Sequence, residues 1–206
     1  MTRIEIAIKI AAAKVLFKEI GFFKTLSVAA KIDKDARKGK PFDILEKPES
    51  QKDIDTRNLI GEAVLLYREL QKTYSQKEAE AIVRKVITNS AIAQLRHLIP
   101  ILEYEKLSKM GMDERKELFC DIVDRFPNTD WKMTNCTEQE VTVCMTRCRI
   151  VELLDAVGCP ELRNACCAGD KLYFDMYQKD INFKRDTMIG EGDKQCDFIF
   201  SIKDKT

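Results

Sequence analysis

The chain has 206 residues, 45% hydrophobic and 33% charged, a balance that suits a globular protein burying a real core. Lys and Arg number 35 against 34 Asp and Glu, a formal charge of +1, so nothing in the overall charge favours nucleic acid, an anionic membrane or a polyanionic substrate. The apolar stretch from Met1 to Leu26 is interrupted by Lys9, Lys14, Lys18 and Glu19, well short of the roughly 20 uninterrupted residues of a membrane span. It also lacks a compact apolar region ending in a small-residue cleavage site, so the expected location is the cytoplasm.

In chain order, Ile4, Ala7, Ile8, Ala11, Ala12, Val15, Leu16 and Ile20 recur at three- and four-residue spacing and predict helix from Arg3 to about Lys38, stopped or bent at Gly21. Such apolar stripes must be buried, either in cis or against a second copy of the chain, which leaves a homodimer through the N-terminal helices open. Residues 38–53, with Gly39, Pro41 and Pro48 among charges, read as a linker, and a second amphipathic helix follows from Ile54 to about Thr73. Ser75 and Glu78 form a capping-box signature for a helix reaching about His97 and stopping before Pro100. Another helix begins near Met112, with Asp113 as N-cap, and ends by Pro127.

Beyond residue 127 the pattern changes. Residues 130–133 and 140–147 alternate as strands; 150–157 predicts a short helix closed by Gly158, and 160–168 another closed by Gly169. Residues 181–188 and 195–203 alternate again around Gly190-Glu191-Gly192-Asp193, a hairpin whose glycines supply positive φ. The expected fold class is α+β: a helical part, 1–127, packed on a small antiparallel sheet with short helices, 128–206, in one compact unit.

Seven of the eight cysteines lie after residue 130. A reducing compartment disfavours a disulfide framework, which leaves function, metal binding or plain core filling. No CxxC occurs, and His97 is the only histidine, which excludes a histidine-rich metal site. A thiolate site from Cys148, Cys159, Cys166 and Cys196 is conceivable, although the spacing does not match the familiar knuckles. His97 lies among Leu95, Leu98 and Ile99 and reads as a core or helix-end residue. No phosphate loop or dinucleotide fingerprint is present.

What remains is a set of polar groups at element ends: Glu161, Cys166, Cys167, Asp170, Arg185, Thr187, Cys196 and Asp197. Asp170 follows Gly169, a place where the helix dipole disfavours a carboxylate; a binding role would account for it, and so would an ordinary polar loop. If Asn182, Lys184 and Asp186 face solvent, then Ile181, Phe183, Arg185 and Thr187 face inward. An arginine on such a face needs a carboxylate, from Asp170, from Asp197 or from a ligand. Cys166 and Cys167 point about 100° apart on a helix, so one of the two is expected to face a shared pocket.

The run Gly158-Cys159-Pro160-Glu161-Leu162, then Cys166-Cys167-x-x-Asp170, Ile181-x-Phe183-x-Arg185-x-Thr187 and Gly192-x-x-x-Cys196-Asp197-Phe198-x-Phe200 resembles the L-2-amino-thiazoline-4-carboxylic acid hydrolase family over the last 65 residues or so. The resemblance implies a hydrolase that opens a cyclic isothiourea to N-carbamoyl-L-cysteine, acting on a small molecule without a cofactor. It implies Cys166 or Cys167 as nucleophile, or water activated by Asp170. Asp170 or Glu161 would serve as base and amidinium partner, and Arg185 as a fork for the substrate carboxylate. Thr187, Cys196 and Asp197 complete the motif in a substrate-binding role. The contrasting reading is a ligand-binding or sensor module on the same fold, without turnover, with or without a thiolate-bound metal.

Overall fold

Local capping sets the helix starts. In the computed structural model, which describes residues 2–203, Thr2 accepts from the Glu5 amide and starts α1 (Arg3–Ile20). Gly21, at φ +80°, ends it, a turn that a residue with a side chain adopts only under strain. The chain restarts at once as α2 (Phe22–Ala36). Of the two outcomes expected at Gly21, a stop or a bend, the structure has the stop, and the helical stretch is two helices. Residues 38–53 are less linker-like than expected: Phe42 is buried and packs on Gly61, where a Cβ would stand 3.2 Å from the ring. Ser50 then caps α3 (Gln51–Leu70), which starts three residues earlier than the periodicity suggests.

Ser75 and Glu78 form the expected capping box of α4 (Gln76–Leu98), with the Ser75 amide donating to Glu78 at 3.0 Å. Ser75→Ala should lower stability by about 1 kcal/mol, read from urea unfolding. A loss below a tenth of that would mean that burial of α4 alone sets its start. After the single turn α5 (Tyr104–Leu107) comes α6 (Met112–Asp124), whose N-cap is Gly111, not Asp113; the Gly111 amide donates to Glu114 at 3.1 Å.

The strands follow: β1 (Thr129–Cys136), β2 (Glu140–Cys148), β3 (Ile181–Arg185) and β4 (Cys196–Ile202). They form one antiparallel sheet in the order β1-β2-β4-β3, with Met145 opposite Cys196 and Arg185 opposite Phe198. Between β2 and β3 run α7 (Arg149–Ala156), a 3₁₀ turn at Pro160–Leu162, and α8 (Ala165–Tyr177). Here the structure corrects the sequence reading. Gly169 does not close a helix; it lies inside α8, where a Cβ would come within 2.7 Å of the Ala91 Cβ on α4. The glycine serves a close helix crossing. In the β3–β4 connection only Gly192 takes a positive φ, at +104°, while Gly190 lies flat against the Arg163 backbone.

The architecture is thus α+β, with helices packed on one face of the sheet. Phe174 of α8 stacks on Phe183 at 4.7 Å between ring centroids, and Phe119 of α6 meets Phe200 at 5.4 Å. Two buried apolar clusters result, and each draws on residues from both sides of position 127. In α1 and α2, Leu16 and Val28 turn inward, whereas Ile6, Ile10, Phe22, Phe23 and Leu26 stay exposed. No described helix is long and apolar enough to cross a membrane.

Candidate active site

The site is built on the first two turns of α8 and the inner face of the sheet. Arg84 of α4 fixes where α8 begins: it donates to the Asn164 side chain at 2.6 Å and to the Glu161 carbonyl, and pairs with Glu80 at 2.7 Å. From that start, Cys166 and Cys167 precede Asp170 by four and three residues, spacings that bring all three to neighbouring positions on one side of the helix. All three line a single large cleft of about 1590 Å³, and so does Cys196 of β4. Both neighbouring cysteines reach it, where one was expected, because the cleft is broad enough to take in 100° of helix surface.

Asp170 is therefore not at a helix end but in the second turn of α8, facing into the protein. Behind it stands Arg185, whose side chain is only 8% exposed. One of its terminal nitrogens donates to Asp170 Oδ2 at 2.9 Å and the other to the Cys167 carbonyl at 2.9 Å. Its guanidinium lies 5.2 Å from the Phe198 ring centroid, which adds a cation–π contact, and its Nε is buried without a partner. Arg185 thus makes its carboxylate contact inside the protein, and it is not among the residues that line the cleft.

Burial pushes the Asp170 carboxyl up to about 6, against the opposing pull of Arg185. The thiols move the same way. Burial, reinforced by the Asp170 charge, raises Cys167 to about 12, and burial raises Cys166 well above the ordinary thiol value. Cys196 is also raised by burial, although its sulfur accepts the Ile189 amide at 3.2 Å. At neutral pH these groups are thiols, and Asp170 is the ionised group among them.

Other candidate residues lie elsewhere. Asp197 stands on the opposite face of the sheet from Cys196, opposite Cys144 in register, and accepts from Thr187 and Gln195 at 2.9 Å each. Thr187 shares sequence parity with Arg185 but falls past the end of β3, so the strand alternation no longer governs it. Glu161, on the 3₁₀ turn, lies beside the buried Tyr67 hydroxyl, whose pKa is raised by burial and by that carboxylate. Cys159 belongs to one apolar cluster and Cys196 to the other, so the four-thiolate set does not assemble. Among the described residues no three His, Cys, Asp or Glu side chains are arranged to hold a metal ion. His97 is exposed on the last turn of α4, its Nδ1 2.9 Å from the Ala93 carbonyl.

The lining also takes in Met145 and Phe174, which the sequence did not single out, Cys148, considered there only as a metal ligand, and Phe198 and Phe200, which stood in the motif without a role. The β4 residues had a signal, since Cys196, Phe198 and Phe200 alternate on one face. The extension of α8 had one too, in the four-residue repeat of Ala165, Gly169 and Tyr173.

Fold and site together describe a protein of the α+β class with an acid and several thiols lining a deep cleft between its helices and sheet. The chain belongs to the L-2-amino-thiazoline-4-carboxylic acid hydrolase family, whose model matches residues 54–200. That match takes in α3 and α4 as well as the cysteine-rich part. No curated protein and no solved structure gives a match to the chain.

Proposed function

We propose that the protein hydrolyses a small cyclic amidine or thiazoline carboxylate, with L-2-amino-thiazoline-4-carboxylate opening to N-carbamoyl-L-cysteine as the type reaction. The observation that carries this reading is Asp170: a half-buried carboxylate with a pKa of about 6, facing the cleft beside Cys166, Cys167 and Cys196. A base of that strength is mostly ionised at neutral pH and still basic enough to take a proton from water. The thiols are too weakly acidic to be standing nucleophiles, so an activated water is favoured over Cys166 or Cys167.

In this scheme Asp170 accepts a proton as the water oxygen adds to the ring carbon between nitrogen and sulfur. The tetrahedral centre then expels the ring sulfur, the C–S bond breaks, and Asp170 returns its proton to the departing thiolate. The water's second proton passes to the imine nitrogen of the neutral ring, and its oxygen becomes the carbamoyl oxygen. Arg185 acts as a positioning residue that holds Asp170 and opposes its protonation, rather than as the substrate's carboxylate clamp. Glu161, Thr187 and Asp197 take supporting roles outside the cleft.

The test is turnover of a ring panel: the thiazoline carboxylate, its oxazoline counterpart and an unsubstituted cyclic amidine, with product followed by mass. Ring opening of the thiazoline is the expected result. No turnover of any member by the purified protein removes the hydrolase reading.

A further inference from the structure

The overall charge of +1 hides an uneven surface on the two N-terminal helices. At about 100° per residue, Ile6, Ile10 and Phe17 of α1 fall within about 40° of one another around the helix, with Ala13 at their edge. Ala12, Val15 and Leu16 turn away from that stripe and pack into the first apolar cluster, so the stripe is no part of the core. Gly21 then turns the chain and brings the next aromatic residues alongside. The Phe17 and Phe22 ring centroids are 5.4 Å apart, those of Phe22 and Phe23 5.6 Å, and Leu26 stands one turn on from Phe22. Phe23 is 85% exposed. Ile6, Ile10, Phe17, Phe22, Phe23 and Leu26 thus make one continuous outward face, unlike the single apolar residues scattered over any surface.

The free charges bordering this face have one sign. Arg3, Lys14 and Lys18 are exposed along one flank of the stripe, within about 80° of Ile10. The two acids of α1 lie about 120° or more from Phe17 and are engaged: Glu5 accepts from the Thr2 amide at 2.6 Å, and Glu19 holds Lys85 at 2.9 Å. An apolar stripe with a basic border complements the surface of an anionic bilayer, where rings enter the acyl boundary while lysine and arginine heads stay among the phosphates. A second copy of the chain offers the same cations and no acid to meet them, so charge opposes self-pairing. Both helices also lie outside residues 54–200, the part the family model matches.

We propose that the outward face of α1 and α2 docks on an anionic phospholipid bilayer, with α1 lying in the headgroup plane and Phe17, Phe22 and Phe23 entering the acyl boundary. The contact is separate from the chemistry at Asp170 and holds whether or not the ring is opened there.

Co-sedimentation of the full chain with phosphatidylcholine vesicles, with and without phosphatidylserine, tests this. The protein should pellet with the anionic vesicles, far less with the neutral ones, and be released as salt rises. Phe23→Ser, at a position too exposed to carry the fold, should lower the partition coefficient about tenfold or more. Lys14→Gln and Lys18→Gln should each lower it roughly fivefold. Equal pelleting with both vesicle types, or none, overturns the proposal. So does anionic binding that all three substitutions leave intact, since another surface would then carry it. A wild-type dimer in sedimentation velocity that Phe23→Ser dissociates also overturns it and gives the face to a second copy.

Discussion

Asp170→Asn is expected to lower kcat on the ring substrate by a hundredfold or more, with KM changed much less. Asparagine keeps the size of the side chain and an oxygen for Arg185, but it cannot take a proton from water, and a positioned base is worth roughly 10² to 10⁴ in rate. The wild-type pH profile should carry the same signature. With a carboxyl titrating at about 6, kcat/KM should rise as pH increases through 6 and level off above it, because only the ionised form works. Arg185→Gln removes the positive charge that opposes protonation of Asp170, so the acid limb should move to higher pH. A purely structural arginine would lower the amount of folded protein without moving that limb. An Asp170→Asn enzyme within threefold of wild type would assign the base elsewhere.

The same carboxyl links folding to pH. Its pKa is raised in the folded protein from 3.8 to about 6, so the folded state holds the proton more tightly. Ionising Asp170 therefore erodes stability as pH rises through that window, the reverse of the usual salt-bridged aspartate.

The second large effect is expected at Gly169, where alanine should destabilise the protein by about 2 kcal/mol. Two terms oppose each other. Alanine favours an α-helix by roughly 1 kcal/mol over glycine. Against this, the new methyl would stand 2.7 Å from the Ala91 Cβ and 3.2 Å from the Thr88 carbonyl oxygen. Overpacking of this kind costs roughly 1–3 kcal/mol and more when the obstacle is backbone. Thr88 Oγ1 donates to the Ala165 carbonyl at 3.2 Å across the same crossing, so the two helices cannot separate without losing that bond. The clash wins. Urea unfolding checks it, and Ala91→Gly in the same chain should recover part of the loss, since it removes the nearest obstacle. Simple additivity of the two substitutions would show that the crossing is not the cause.

Much of the helical frame was legible in the sequence because its causes are local. Ser75 and Glu78 act within one turn, and Gly21 interrupts a helix by its own φ. Gly169 was misread because a helical glycine has two meanings, a stop or a close approach, and only Ala91, 78 positions earlier, decides between them. That error also put Asp170 at a helix end. The inward parity of Arg185 was readable from its strand, but its choice between Asp170, Asp197 and a ligand depends on how α8 lies across β3. Thr187 and Asp197 were grouped with the site by motif adjacency, whereas the end of β3 and the strand alternation of β4 send them to the other face. The cleft itself had no sequence signal, since it forms between elements far apart in the chain.

Two helices contribute to both apolar clusters: α8, through Ala165 in the first and Tyr173 and Phe174 in the second, and α4. Residues Ala79, Ile82, Val83, Val86 and Ile87 of α4 lie in the first, while Leu95, from the same helix, lies in the second with Ile99 just beyond its end. A rigid rod shared in this way leaves neither cluster a private folding equilibrium, because loosening one withdraws the partner surface of the other. The consequence is mechanical as well as thermodynamic. A molecule entering the cleft cannot make room by tilting α4 or α8, either of which would cost both cores at once, so the compliance needed for admission falls to the helices that border the cleft without spanning it.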